Sequence, residues 1–352
     1  MLLDGLQLPL TTPFYPDGRL NLHKLEHNVA RYSKTPAAGL VALSEVGEPT
    51  LLSEEETRHV LRSVAASAAA EKVLIAGVSR DSVAGTLELA ESAAEFGYDA
   101  VLVRRPSMLR GKGERTKELL TYFQAVGDRS ALPMVLYSLS GEDGAVLPAE
   151  VVIELAGHSK ILGIVDDSGD RARMETIKTG TASSKRDVTV TAVFAAVTGR
   201  MQRRSEGAEA KDLILATELM DGMPAVATPT KMMVKTRTKL VGFQLLAGRT
   251  DGMLEGLSSG AVGAMPAFSA AAPQACYEVL AAWKDGDEGL AGEKQMRLQE
   301  VAARIERQMG VAGIKFGCDL NGYFGGMPRL PLLPLGGEER AEVEALMQGM
   351  RN

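Results

Sequence analysis

The segment Ile161-Leu-Gly-Ile-Val-Asp-Asp-Ser-Gly-Asp170 carries the densest set of candidate chemical groups in the chain. An apolar run stops abruptly in Asp166, Asp167 and Asp170, with a serine and a glycine between them. That pattern is a buried strand arriving at a polar rim, where carboxylates can move protons or hold a divalent cation. Asp170 reads more simply as the N-cap of a following helix, and the aspartate pair as loop solvation. Tyr137 ends another apolar run, PMVLY, where its hydroxyl could shuttle a proton or merely be packed and satisfied. Arg104, Arg105 and Arg249 fall where strand ends should gather, either to clamp an anion or to neutralise Glu45, Glu142 and Asp167, and neutralisation is the preferred reading. His23 and His27 have the i, i+4 spacing of helical metal ligands. Their helix belongs to an outer layer and no third ligand is suggested, so a solvated face is expected and no metal site.

These groups need elements to position them. Short, nearly continuous apolar runs begin near Leu6, Gly39, Val73, Ala100, Pro133, Ile161, Leu240 and Ala261. Continuous rather than alternating apolar character marks parallel strands covered on both faces. Amphipathic segments lie between them. Ser53 with Glu56 forms a capping box, Gly97 closes a helix, and Pro148 suits a first helical turn. Most runs start roughly 30 residues apart, the size of one βα unit. Eight such units predict a (β/α)8 TIM barrel. A doubly wound sheet is the alternative, but no glycine-rich dinucleotide loop follows the first strand.

One interval breaks the rhythm. Between Ile161 and Leu240 stand about 50 residues more than a βα unit needs, from about 185 to 239. This insertion contains a strand-like run from Val188 to Val197, a helical run from Ala210 to Met220 and the basic tail TKMMVKTRTK, which reads as a solvated loop. Placed before the sixth helix it would cover the C-terminal mouth of the barrel; placed after it, the opposite end. Both DRARMETIK and AKDLILATELM could be that helix. The barrel is assigned to residues 1–270, and residues 271–352 to a helical extension with segments near Pro273–Trp283, Gly292–Met309 and Gly337–Met350.

The 352 residues carry 45% apolar and 24% charged side chains and a formal charge of −6, which fits a globular protein and argues against bulk electrostatic binding to nucleic acid. The N-terminus lacks a basic region and Asp4 interrupts its apolar run, so no secretory signal is expected; no apolar stretch is long enough to span a membrane. Two cysteines, Cys276 and Cys318, fit a reducing compartment, and the expected location is cytoplasmic. The 16 methionines are scattered and read as core filling.

Thr12-Pro13-Phe14 with Asp17-Gly18, Gly47-Glu48, Leu136-Tyr137, Gly163-Ile164 with Ser168-Gly169-Asp170, and Ala247-Gly248-Arg249 leading into GLSSGAVGAM occur in order, followed by GGMPRLPLLPL. Together they resemble the dihydrodipicolinate synthase / N-acetylneuraminate lyase family, class I aldolase-like barrels that act through a lysine–keto acid Schiff base. The resemblance covers nearly everything outside the insertion. It implies a TIM barrel, lyase chemistry without a cofactor, and a homo-oligomer, dimer or tetramer. It places the nucleophilic lysine at Val165, the carboxylate-holding threonines at Glu45 and Val46, a tyrosine from the neighbouring subunit in the Pro106-Ser107-Met108 stretch, and an arginine at Glu142. Tyr137 alone keeps the family residue.

A valine has no amine to form the imine, so Schiff-base chemistry at this position is not expected. Lys72, Lys160 and Lys239 precede strands and belong at the wrong end. Lys178 belongs to the sixth helix if that helix starts at Asp170, and Lys185, Lys231 and Lys235 reach the mouth only if the insertion folds there. The expected lining of the ligand site is Glu45, Val46, Arg105, Met108, Tyr137, Glu142, Val165, Asp167 and Arg249. Two readings stand: a divergent lyase-like enzyme with its own ligand, or a non-catalytic barrel that binds a metabolite or partner.

Overall fold

A computed structural model describes residues 1–111, 115–140, 146–203 and 235–350. The chain begins with β1 (Gly5–Pro9), α1 (Leu22–Tyr32), β2 (Gly39–Ala42), α2 (Glu54–Ser67), β3 (Val73–Gly77), α3 (Val83–Phe96), β4 (Ala100–Arg104) and α4 (Thr116–Arg129). It continues through β5 (Met134–Ser138), α5 (Ala149–Leu155), β6 (Ile161–Asp166), α6 (Arg171–Gly180), β7 (Arg186–Thr191) and β8 (Thr236–Val241). Then follow β9 (Gln244–Ala247), α7 (Met253–Ser258), β10 (Gly263–Ala264), α8 (Pro273–Lys284), α9 (Glu288–Ala302), a π-helical turn (Ala303–Gln308), α10 (Gly310–Leu320) and α11 (Gly337–Met347).

Strands β1–β6, β9 and β10 close a parallel barrel, with β10 pairing both β9 and β1. This is the (β/α)8 barrel that the apolar runs predict. Successive residues of each strand face opposite ways, which divides the core in two. Val41, Val73, Ile75, Leu102, Val135, Val165, Leu246 and Met265 fill the barrel interior. Leu40, Leu74, Val101, Leu136, Ile164 and Leu245 pack outward with the surrounding helices. The helix ends follow their sequence signals: Ser53 and Glu56 complete the capping box of α2, Gly97 ends α3 at φ 88°, and Asp170 accepts from Arg173 N to cap α6. The segment from Pro273, read from the sequence as the start of the extension, packs as α8 against β1 and α7.

The insertion departs from the strand reading at one point. The apolar run beginning at Leu240 contains two strands, not one. Residues through Val241 form β8, antiparallel to β7, and the barrel strand starts at Gln244. Leu240 is 59% exposed on this arm. Arg171–Gly180 is the sixth helix, so the insertion follows it and lies at the base of the barrel. Val188, Val190 and Val241 pack on Leu2 ahead of β1. Gly199 N donates to Asp99 immediately before β4, and Arg186 donates to Ser159 O just before β6. The run Ala210–Met220 lies outside the described residues, as does the first half of the basic tail.

The extension contains one helix that the sequence reading omitted, Gly310–Leu320. Its three glycines, Gly310, Gly313 and Gly317, lower helix propensity and hide its period. With the preceding π turn it roofs the opposite end of the barrel, the mouth.

Candidate active site

A cavity of about 360 Å³ occupies the mouth, between the C-terminal ends of the strands and this roof. The barrel contributes Ser44, Glu45 and Val46 after β2, Tyr137 on β5, Ser140 and Asp167 after β5 and β6, and Arg249 after β9. The roof contributes Glu306, Arg307 and Ile314. A cavity at this end is where barrel enzymes keep their chemistry.

The loop after β2 is held in an unusual shape. Leu43 has φ 60° and Glu48 φ 55°, both in the left-handed region. A Cβ on Gly77 would lie 2.0 Å from the Leu43 carbonyl oxygen, so glycine is required for the loop to cross β3 so closely. The result is a short 3-10 turn, Glu45–Gly47, whose Gly47 carbonyl accepts from Thr12 at 2.7 Å. Ser44 is 3% exposed and its Oγ has no hydrogen-bond partner among the described residues. The Glu45 carboxylate faces Arg104 at 3.5 Å.

Behind this loop stands an ion pair the sequence reading did not find. Glu48 and Lys315 are both fully buried and in contact. Lys315 Nζ also donates to Met327 O at 3.0 Å, while Glu48 accepts from Arg329 N at 2.7 Å. Burial lowers the Lys315 pKa and the Glu48 charge opposes that shift. The pair ties the roof helix α10 to the β2 loop.

Opposite Ser44, Tyr137 is partly buried against the barrel interior. Burial, then the nearby Glu45, Asp167 and Glu306 carboxylates, push its hydroxyl well above the ordinary phenol pKa. Asp167 accepts from Ser140 N and Oγ at 3.2 and 2.6 Å, yet burial still raises its pKa. Asp166 points away from the cavity and pairs with Arg173 at 2.8 Å, with both side chains largely buried. Arg249 donates to Asp251 through Nε at 2.7 Å and through its terminal nitrogen, and Arg307 reaches the same carboxylate at 3.1 Å.

Glu306 is the group sequence reasoning missed. It accepts from Phe268 N at 3.0 Å and from Thr250 Oγ, both on Oε2. Burial pushes its pKa up to about 7, and Asp167 adds to the rise. A carboxyl that titrates near neutrality in a cleft is suited to hold or release a proton. In the sequence it sits in an amphipathic run where an acid reads as solvated surface; the π turn aims it into the mouth, and π turns often mark functional places.

Of the expected lining residues, the structure gathers Glu45, Val46, Tyr137, Asp167 and Arg249 around the cavity. Val165 is buried in the apolar interior with Leu246 and Met265, paired in register with Tyr137, and does not line the cavity. Arg105 is buried, donating to the carbonyls of Leu109 and Val146. Met108 is 69% exposed on a short 3-10 turn. Glu142 lies outside the described residues. Lys72 and Lys160 donate to carbonyls at the base, Lys178 is on α6, Lys185 immediately precedes β7, and Lys239 is on β8. Lys231 lies outside the described residues. No lysine is among the described residues that line the cavity.

Comparison with known proteins agrees with this architecture. An L-threo-3-deoxy-hexylosonate aldolase from Hypocrea jecorina is 27% identical over 99% of this chain and 95% of its own length. A 4-hydroxy-tetrahydrodipicolinate synthase from an Exiguobacterium strain is 24% identical over 98% of this chain and 97% of its own. The crystal structure of a dihydrodipicolinate synthase from Bacillus anthracis superimposes with a TM-score of 0.77 at 20% identity, covering all of both chains. Residues 2–187 and 214–350 match the profile of the dihydrodipicolinate synthetase family, and the chain belongs to that family.

Proposed function

We propose that this chain is a divergent, lyase-type member of its family that binds a small molecule in the mouth cavity and does not use a lysine Schiff base on β6. Val165 carries the reading. The position at which the family resemblance calls for the nucleophile is a buried valine among apolar neighbours, and a valine has no nitrogen to form an imine. The lining residues Glu45, Tyr137, Asp167, Arg249 and Glu306 supply acids, bases and hydrogen bonds instead.

Two of the solved relatives are described as pyruvate complexes, one from E. coli and one from Acinetobacter baumannii, which makes pyruvate the probe of choice. Incubation with pyruvate and borohydride, followed by intact-protein mass, is expected to leave the chain unmodified while an ordinary family member gains the reduced adduct. A stoichiometric adduct on one lysine would overturn the proposal.

The replacements at Glu45, Val46 and Val165 also favour a second reading, a non-catalytic metabolite-binding barrel. Ligand-induced thermal stabilisation without turnover would select it. In that case the exposed Val193 and Leu240 of the basal arm are its natural partner surface. A homo-oligomeric, cytoplasmic protein completes the proposal. Buried free thiols at Cys276 and Cys318 support the compartment, and light scattering tests the assembly. Among the described residues no helix is long and apolar enough to cross a membrane.

A further inference from the structure

The roof of the mouth carries two neighbouring charged residues that the rest of the described chain leaves partly unpaired. Arg249 is fully engaged: Nε and Nη2 grip Asp251 side-on, and Nη1 donates to Ser168 O at 3.5 Å. Arg307 reaches the same Asp251 through Nη1 alone, at 3.1 Å. Its Nε and Nη2 have no partner among the described residues. That pair is the edge of a guanidinium that takes a carboxylate in two parallel hydrogen bonds. Arg307 lines the cavity and its side chain is 54% exposed, so an entering molecule can reach it. Arg104 is no alternative, since it faces Glu45 and does not line this cavity.

Glu306 precedes Arg307 on the same π turn and lines the same cavity. Its Oε2 is held by Phe268 N and Thr250 Oγ, while Oε1 has no protein donor among the described residues. The carboxyl therefore keeps one oxygen for a ligand. The charged and titratable groups that act on it are Asp167 after β6, Asp251 and Arg249 after β9, Tyr137 on β5, Cys276 on α8, and Arg307 beside it. Burial holds the Tyr137 phenol and the Cys276 thiol in their neutral forms. Arg249 and Arg307 share Asp251 and so leave one positive charge, which Asp167 offsets, and Glu45 is offset by Arg104. With Glu306 protonated the mouth is neutral; with it ionised the mouth has one negative charge in excess. A carboxylate that enters beside Glu306 therefore favours the protonated form of that side chain.

We propose that the mouth holds a small monocarboxylate by its carboxylate end at the roof, gripped side-on by Arg307 and sharing a proton with Glu306. This rests on the preceding reading of the mouth as the ligand site, and deepens it by naming the ligand's charge and the residue that orients it. The family resemblance would put a carboxylate at the β2 loop, where Glu45 now repels it and Val46 has no side-chain donor. The roof takes over that task, leaving the uncharged body of the ligand to Tyr137 and to the apolar wall of Met265 and Ile314. A second carboxylate on the ligand finds no such partner, because Arg249 is engaged and Glu45 and Asp167 oppose it.

The test is calorimetric titration of the full chain with lactate and mandelate, each beside its amide, with malate as the dicarboxylate and ethanolamine as the cationic control. At least one monocarboxylate is expected to bind roughly tenfold more tightly than its amide, malate or ethanolamine. Arg307→Gln should weaken it about tenfold, the value of charge-assisted hydrogen bonds, with Tm little changed because Asp251 keeps Arg249. Glu306 titrates at about 7, so affinity should fall roughly tenfold from about pH 6 to about pH 8 as it loses the proton that binding requires. In Glu306→Gln that dependence should vanish. Equal or tighter binding of an amide, malate or ethanolamine, no binding of either monocarboxylate, affinity unmoved by Arg307→Gln, or a pH dependence that survives Glu306→Gln would each overturn the inference. Should Arg307→Gln fail to fold, the pH dependence and its loss in Glu306→Gln decide. The borohydride experiment fails separately: an adduct with pyruvate removes the reading without an imine, whereas lactate and mandelate have no ketone and report on the carboxylate anchor alone.

Discussion

At the base of the barrel, charged and polar side chains are spent on the backbone. Asp99 accepts from Leu74 N and Gly199 N at 2.9 Å each, Lys72 donates to two carbonyls at 2.7 Å, and Arg200 donates to the carbonyls of Ala68 and Lys72. At the mouth, Ser44 Oγ has no hydrogen-bond partner among the described residues, and burial raises the pKa values of Glu306 and Asp167 as it does that of Asp99 at the base. Both ends are built from the same strands. They differ in what the polar groups face: at the base most are spent on backbone atoms, although Arg200 Nε and Gln7 Oε1 stay unpaired among the described residues, whereas at the mouth the Glu45, Asp167 and Glu306 side chains line a cavity. A group satisfied from within adds stability, and one left open costs stability and keeps binding capacity. The insertion lies at the base, where its surface does not disturb the mouth cavity.

The largest test of this contrast concerns the clamp behind the mouth. Lys315→Met leaves Glu48 as an uncompensated buried charge and should lower the unfolding free energy by about 3–5 kcal/mol in urea titrations. Adding Glu48→Leu should recover part of that loss, because the remaining pair is apolar. A single mutant with wild-type stability would show that the pair is dispensable.

Glu306 gives the next effect. Its folded pKa of about 7 exceeds the ordinary 4.5, so the folded chain holds a proton across that interval that the unfolded chain has released. Stability due to this group therefore falls as pH rises from about 4.5 to 7, then levels off, by about 3 kcal/mol. Asp167 and Asp251, the other carboxylates acting on it, reinforce the direction. In Glu306→Gln the decline should disappear, so that Tm of the variant gains on the parent between pH 5 and 8. Parallel Tm curves would contradict the assignment.

The smallest of the three effects is at the base. Asp99→Asn removes one of two backbone acceptor contacts and should cost about 1 kcal/mol, with ligand affinity at the mouth unchanged. A shift in affinity would mean that the two ends are coupled and that the division drawn here is wrong.

Much of the positioning of these groups was legible in the sequence. Apolar runs located the barrel strands, and Ser53, Gly97 and Asp170 marked helix ends that the structure reproduces. The failures have physical causes. The run at Leu240 continues across Gly242 and Phe243 into β9, and hydrophobicity does not mark where an arm strand becomes a barrel strand. The side of the barrel covered by the insertion depends on which helix packs against α5, a tertiary fact. Lys315 was hidden in a glycine-rich helix, and Glu306 by an exposed-looking amphipathic pattern.

The π turn over the mouth holds one residue more than an ordinary turn of helix. Were a single residue deleted between Ala303 and Gln308, the ladder would close as an ordinary helical turn, the helix beyond would keep its facing, and the side chains inside the turn would be re-aimed. Glu306 would then leave the roof and another residue would take its place, with no substitution at any wall residue of the cavity. The length of this segment therefore acts as a selector. Across relatives, gaps and insertions here should track changes of ligand more closely than substitutions do.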